Sequence, residues 1–561
     1  MLYSKLFGKT VKKSPSEATL VSHKLLYQAG FIRESTAGRY FILPLGQRVQ
    51  YKIMRIIREE MNNTGAQEML SPVLHPLTLW EETNRTKTTG FELMKIKDRR
   101  DMWFALGGTA EEMFVDVVRK FRPSYKDLPF NIYQFSLKFR DELRARGGLL
   151  RVREFIMKDA YSFDRNEEEF KKEYRNMWKT YEKIFARMGL QTTVIEADNG
   201  YIGGEYCHEF VVESEVGESK YLISEDNKYA AHEDVTKFKR ESVNLEEKEK
   251  PFQTIKQPEW VQTMEHNVKH YRLTKSHFLK NVVYKNRVTG EIIIAVIRGD
   301  LDVNKIKLEH ALDAVGQLEE AAEKDLAKIG TKKGYVHSWG HKKARYIGDI
   351  SLTTVKNFIG GQKEKTSDSI NVNYDRDFTC DRLVDIALAK ESYLSESGKK
   401  LVEKRGIEVG NIFQLGYHYS KKMKDAVYVD QTGKLRPFYM GCYGIGIGRT
   451  LAAIVEKFHD DRGIIWPESV APYKYHLIGL DLNDKKVKDR ASKIYRQLTI
   501  SDKQDVLFDD REDVTAGVKF ADADLIGIPY RLVVSKRTGD KIELKKRAGK
   551  TSQLVSLDKL V

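Results

Sequence analysis

The segment Lys138–Phe155, KFRDELRARGGLLRVREF, crowds Arg140, Arg144, Arg146, Arg151 and Arg153 together with Asp141, Glu142 and Glu154 among them. A guanidinium offers a planar fork of donors that matches two phosphate or carboxylate oxygens, and a carboxylate accepts from the amino group of a base. That set suits a grip on a nucleotide or an RNA backbone. A solvated ribbon of ion pairs, each worth little in stability, fits the same residues. A second cluster, YGIGIGRTLAAIVEKF, sets Gly444, Gly446 and Gly448 at alternate positions ahead of Arg449 and a helical pattern. Alternating glycines at a strand end clear one face for a flat ligand or a close backbone. The spacing is neither the GxGxxG of a dinucleotide fold nor a Walker loop.

These residues need elements to hold them. In NIYQFSLKFRDE, Tyr133, Phe135, Leu137 and Phe139 alternate with Gln134, Ser136, Lys138 and Arg140, the period of a half-buried strand whose polar face continues to Arg140 and Glu142. Beyond the arginines, Arg151, Arg153, Phe155 and Met157 share one face and Leu150, Val152 and Ile156 the other. Gly147–Gly148 between them predicts an antiparallel pair with a long tip. VQYKIMRIIREEM reads as a helix ending near Gly65, and AQEMLSPVLHP as a short strand with Pro72 at its edge or end. The stripe Phe170, Tyr174, Met177, Tyr181 and Phe185 predicts a core-facing helix.

Composition changes at TKFKRESVNLEEKEKPFQTIKQPEW, a charged, core-poor stretch that reads as a linker. NVVYKNRVTGEIIIAVIRGD then predicts a strand, a turn at Thr289–Gly290 and a strand, opening a separate module that runs to the loop GGQKEKTSDS. Strand patterns resume at RGIEVGNIFQLG, and YHLIGLDL and YRLVVSK alternate with helical runs in a small terminal α/β domain. A chain of 561 residues exceeds one core, and a formal charge of +15 favours a polyanionic partner, nucleic acid before membrane. The dispersed Cys207, Cys380 and Cys442 support neither a disulfide framework nor a thiolate zinc site, which suits a reducing cytosol. The N-terminal stretch lacks the apolar run of a signal peptide, and nothing reaches the ~18 apolar residues of a membrane span.

Taken together, Phe139-Arg140-Asp141-Glu142 with Arg151…Phe155, the glycine block ending in Arg449, and GAQEMLSPVL with Pro72 resemble motifs 2, 3 and 1 of class II aminoacyl-tRNA synthetases. TAGRYFILPLGQRV, LGGTAEEMF, REFIMKDAYSFD, GCYGIGIGR and DDREDVTAGVKFADADLIGIP extend a nearer resemblance, to bacterial-type prolyl-tRNA synthetases, over almost the whole chain. The resemblance implies an α+β fold: a class II antiparallel sheet flanked by helices, an inserted α/β editing-like domain and a C-terminal α/β anticodon-binding domain. The expected division is 1–230 and 396–470 for the catalytic domain, 231–395 for the insertion and 471–561 for the anticodon-binding domain. It also implies a cytoplasmic homodimer that uses proline, ATP and Mg²⁺ to charge tRNA(Pro), with no zinc and no membrane association.

By the same resemblance Thr109 and Glu111 recognise proline's secondary amine, and Arg140 neutralises carboxylate and then α-phosphate, Arg140 and Arg449 being the catalytic pair. Thr109 and Glu111 also suit a helix N-cap with first-turn acids. Glu142 and Phe155 would bind and stack on adenine, Arg151 and Arg449 would hold the distal phosphates, and Glu408 would touch nucleotide or Mg²⁺. Arg144, Arg511 and Lys519, with Asp510, are the candidates for tRNA contact, supported by the basic run Arg531, Lys536, Arg537, Lys541, Lys545, Lys546, Arg547 and Lys550. Lys275 matches the functional lysine of the editing domain. The chain departs from the family at Gly108, Ala110, Asn411 and Tyr417, and Cys442 reads as packing rather than catalysis. GYVHSWGH and GGQKEKTSDS also depart, with Asp368 near the place of an expected histidine, so the insertion is expected to have reduced or altered Ala-tRNA(Pro) deacylation. The rival readings are a catalytically silent tRNA-binding paralogue and a class II synthetase for another small amino acid.

Overall fold

The computed structural model describes residues 1–86, 93–361, 366–501 and 505–560; part of the GGQKEKTSDS loop, 362–365, lies outside them. The chain forms two compact units, one of Met1–Val194, Gly203–Ser219 and Arg405–Val561, the other of Ile195–Ile202 and Lys220–Lys404.

The first unit is built on strands β1 (Gln67–Glu68), β2 (Phe130–Phe139), β3 (Glu154–Asp164), β4 (Tyr206–Glu213), β5 (Leu401–Gly416) and β6 (Tyr439–Gly446). β2 and β3 are the arms of the arginine hairpin, antiparallel from Phe130 opposite Phe163 to Phe139 opposite Glu154. β6 lies antiparallel to β3, with Gly444 opposite Asp159, and β5 and β4 continue the antiparallel order. β1 runs parallel to β2 at the far edge. Helices α1 (Pro44–Asn63), α3 (Glu167–Arg187) and α4 (Ile447–Lys457) share a core with Tyr133, Ala160, Tyr443 and Ile445 of the sheet. The α3 stripe from Phe170 to Phe185 is buried as its spacing predicts, and Asn166 caps that helix by accepting from Glu169 N–H. Helix α2 (Glu111–Phe121) packs with the opposite face of the sheet, Phe114 lying 4.3 Å from the Tyr161 ring.

Three local readings need correction. On β2 the polar side chains are the deeply buried ones: Gln134, Ser136 and Lys138 are covered while Leu137 is 41% exposed. The alternation is real, but the polar face is the covered one and encloses charge, while on the other face Tyr133 is buried and Leu137 exposed. Gly448 lies in the first turn of α4, not on the strand, so only Gly444 and Gly446 continue the cleared face. AQEMLSPVLHP is not one strand. Its first part is β1, and Leu74–Pro76 pairs elsewhere, with Trp103–Leu106.

The second unit centres on a five-stranded mixed sheet in the order Leu318–Glu320, Leu279–Asn286, Ile292–Arg298, Ala344–Asp349, Arg382–Val384. The expected turn is present, with Gly290 at φ +76°. The stretch expected as a linker is instead part of this unit. Arg240 is ion-paired to Asp349 and Asp385 at 3.2 and 2.5 Å, and Gln253–Lys256 pairs with Ser367–Ile370. Arg240 is thus spent inside the fold, which composition alone does not reveal, while Lys237, Lys239, Glu246, Lys248 and Lys250 stay exposed.

The C-terminal part of the first unit carries β7 (Tyr475–Gly479), β8 (Val506–Asp509), β9 (Tyr530–Val534), β10 (Ile542–Lys546) and β11 (Ser552–Val555), in the order β8-β7-β9-β10-β11, with α5 (Lys485–Ser501) and α6 (Ala516–Ile526). Residues at the chain start lie on edge strand β8: Phe508 N–H donates to Met1 C=O at 2.9 Å, and Ser4 N–H and Oγ donate to Asp510 at 2.9 and 2.6 Å. Among the described residues no helix is long and apolar enough to cross a membrane.

Candidate active site

Where β2 ends, Arg140 leaves the sheet and its Nε donates to Gly108 C=O at 3.2 Å. Gly147 and Gly148 adopt left-handed φ of 69° and 61° at the far turn and let the chain fold back into β3. Arg140, Glu142, Arg151, Phe155, Glu408 and Arg449 all border one open cleft. Gly410, Gly444 and Gly446 form part of its floor, and a Cβ on Gly444 would stand 2.7 Å from Asn411 Oδ1. The Arg140 guanidinium lies over the Phe155 ring at 5.3 Å. Arg151 is bidentate on Glu142 Oε2 at 2.7 and 3.0 Å, and Arg449 pairs with Glu408 at 2.6 Å while its Nε donates to Leu150 C=O at 2.9 Å. The cleft therefore offers forked cations, a stacking ring and carboxylates side by side, the chemistry of a nucleoside phosphate.

A second set of polar side chains forms a buried cluster. The Thr109 hydroxyl is 2.7 and 2.8 Å from the two Glu111 carboxylate oxygens, and Glu111 is fully buried. Arg85 reaches Glu111 at 3.2 Å and Glu112 at 2.8 Å, and Cys442 Sγ donates to Glu111 at 3.3 Å. Burial, with Glu111 beside it, holds the Cys442 thiol well above its usual pKa, so it stays protonated and unreactive. The N-cap of α2 is Ala110 and no side chain caps it, so Thr109 turns to Glu111 rather than to the helix backbone. His75, walled in beside Gly107, is pushed down to about 3 by burial and the nearby Lys138 and Arg85. Sequence reading missed Arg85, Lys138, Asp159 and Tyr161. The adjacent Lys158-Asp159 pair inside a strand was the available signal, since alternate faces oblige each charge to find its own buried partner.

The matching family models are the tRNA synthetase class II core domain (G, H, P, S and T), over residues 94–458, and the anticodon binding domain, over 470–561. The chain is 42% identical to the proline–tRNA ligase of Dehalococcoides mccartyi over 564 residues, covering 100% of this chain and 98% of the relative. The proline–tRNA ligase of Fusobacterium nucleatum matches at 42% over 558 residues, 99% of this chain and 97% of the relative. The chain belongs to the proline–tRNA ligase family. Its fold is also that of the Giardia lamblia prolyl-tRNA synthetase in complex with prolyl-adenylate, at a TM-score of 0.57 and 15% identity, covering 96% of this chain and 74% of that one.

As a proline–tRNA ligase the chain carries an anticodon-binding domain, and there two of the residues singled out for tRNA contact are engaged within the fold. Arg511 is bidentate on Asp509 and paired with Asp522, and it covers the Tyr3 ring at 4.1 Å. Lys519 is 2% exposed, its ammonium donating to Gly479 C=O and Arg511 C=O. Both cations are consumed in holding the domain together. Asp510 is likewise engaged by Ser4. Arg531 and Arg547 pair with Asp524 and Asp460, whereas Lys536, Arg537, Lys541, Lys546 and Lys550 are exposed. Arg144 is exposed at the hairpin tip beside Leu143.

In the second unit Lys275 lies at the surface, paired with Glu265 at 3.0 Å, and is not among the residues lining an open cleft of that unit. Asp368 does border it; burial raises its carboxyl to about 6 against hydrogen bonds from Ser369 N–H, Tyr271 and Gln257.

Proposed function

We propose that this ligase activates proline in the cleft between the β2–β3 hairpin and α4. A proline carboxylate oxygen attacks the α-phosphorus of ATP, the bond to pyrophosphate breaks, and prolyl-adenylate forms. The terminal ribose hydroxyl of tRNA(Pro) then attacks the prolyl carbonyl and AMP leaves. Thr109 and Glu111 accept the two N–H bonds of the imino acid; Arg140 neutralises its carboxylate and then the α-phosphate. Glu142 and Phe155 take the adenine, and Arg151 and Arg449 the distal phosphates. No general base is required where positioning and charge neutralisation lower the barrier.

The observation that carries this reading is the convergence of Arg140, Phe155 and Arg449 on one cleft with Glu142 and Glu408. Glu408 also fits Mg²⁺, which needs one or two carboxylates beside phosphate oxygens and would supply charge neutralisation there. Pyrophosphate exchange with each of the twenty amino acids tests the reading: proline-dependent exchange is expected, and exchange driven by another amino acid, or none, overturns it.

The further parts of the proposal are a catalytic domain of 1–230 and 396–470, an insertion of 231–395 and an anticodon-binding domain of 471–561, in a cytoplasmic homodimer. The free thiols Cys207, Cys380 and Cys442 support a reducing compartment, and exposed Leu70 and Leu74 on either side of Pro72 support a self-association face there. Sedimentation of the full chain as a monomer at micromolar concentration would remove the dimer. The insertion has reduced or altered Ala-tRNA(Pro) deacylation, a reading supported by the pairing of Lys275 with Glu265 away from the cleft. Rapid, Lys275-dependent hydrolysis of Ala-tRNA(Pro) would contradict it.

A further inference from the structure

Thr109 and Glu111 flank Ala110, and the height of that short segment above the sheet depends on what holds Ala110. Its N–H donates to the Tyr161 phenol oxygen at 3.0 Å. The Tyr161 hydroxyl donates in turn to Asp159 Oδ2 at 3.0 Å. The same carboxylate oxygen accepts from Lys138 Nζ at 3.0 Å and from Gln134 Nε2 at 2.9 Å. Gln134 Oε1 accepts from Ser71 N–H and hydroxyl, both at 2.9 Å, which ties the set to the segment just before Pro72. Every one of these side chains is buried.

The direction of this chain follows from donor counting. A phenol has one proton; with Asp159 as its acceptor, the oxygen lone pairs are left for the Ala110 N–H. Burial holds Tyr161 well above its ordinary value, so the hydroxyl keeps that proton. Gly444 stands opposite Asp159 in β6, and Cys442 opposite Tyr161, which places both on the ligand-facing side. Phe155 and Met157, earlier on the same face, border the nucleotide cleft, but Asp159 and Tyr161 do not.

We propose that Asp159 and Tyr161 are positioning residues for the imino acid, fixing the Thr109–Ala110–Glu111 backbone so that hydroxyl and carboxylate reach one secondary ammonium together. This rests on the assignment of Thr109 and Glu111 made above. Neither positioning residue touches substrate, and their effect is on proline rather than on ATP.

Tyr161→Phe in the full-length enzyme tests it, because the ring keeps its packing on Phe114 and only the hydroxyl is lost. Pyrophosphate exchange is measured across both proline and ATP concentrations, beside thermal melting. The expected result is a rise of about tenfold in KM for proline with KM for ATP within about twofold, and a smaller preference for proline over alanine. In a Thr109→Ala background the same change adds little, since the two act as a unit. Equal rises in both KM values, or an unchanged proline KM, overturn the proposal. Thr109→Ala and Glu111→Gln separate the two layers: if neither alters proline KM, the contact assignment itself falls; if they do and Tyr161→Phe does not, only the positioning role falls. Should Tyr161→Phe fail to fold, Gln134→Met, two links further away, gives the same readout: a smaller proline-selective rise supports the proposal, and no rise overturns it.

Discussion

Two of the cations that border the cleft already hold a carboxylate, Arg449 on Glu408 and Arg151 on Glu142. Part-exposed pairs of this kind add little to stability, so exchanging them for phosphate oxygens costs the fold almost nothing. Arg449→Ala should lower kcat/KM for pyrophosphate exchange by about 10²–10³ while the melting temperature stays within a few degrees; a comparable loss of both would make Arg449 a structural residue. Asp164 is the opposite kind of residue, structural and strongly perturbed. Burial, with Glu173 and Glu169 nearby and against a hydrogen bond from Ser162, pushes its carboxyl up to about 8 from 3.8. The native state therefore binds its proton more tightly than the unfolded chain does, and stability falls as pH rises from about 4 to about 8. Asp164→Asn should melt like the parent at pH 4–5 and higher than it at pH 8–9, and identical curves at both ends would refute the burial argument.

The glycine-cleared end of β6 is what makes the cleft flat. Gly444→Ala would place its Cβ 2.7 Å from Asn411 Oδ1, and the expected outcome is at least a ~10-fold rise in KM for ATP with a melting shift of only a few degrees. Unchanged nucleotide affinity would mean that nothing flat is seated there. Elements of this kind were largely legible in the sequence: the hairpin arms, the α3 stripe and the glycine–arginine block all follow from period and spacing. What period could not give is which face of β2 is covered. Alternation assigns residues to faces, but a helix brought from elsewhere roofed the polar face, and Gln134 and Lys138 went inside with Asp159. The same limit explains Arg511, Lys519 and Arg240: a charge count cannot tell a cation aimed at RNA from one already spent on a buried carboxylate. Arg85 was missed for a related reason, since its partners Glu111 and Glu112 meet it only through tertiary packing.

For the molecule as a whole, the C-terminal basic run offers a polyanion the exposed cations Arg537, Lys541, Lys546 and Lys550, with Lys536 held only by a surface pair to Asp484 at 3.2 Å. Changing three of them to Gln should weaken tRNA binding and flatten its log–log salt dependence by about 2 units, with pyrophosphate exchange unaltered; an unchanged slope would assign them to solubility. Arg511→Ala should instead lower the melting temperature, because it removes the guanidinium that joins Asp509, Asp522 and Tyr3. The first residues of the chain lie along β8, with Phe508 bonded to Met1 and Asp510 to Ser4. A ribosome releases those residues some five hundred codons before the strand that they cover. The cover is therefore already made when β8 emerges, whereas a C-terminal fragment expressed from β7 onward lacks it and should self-associate through the open flank, and supplying the missing decapeptide in trans should restore a monodisperse species.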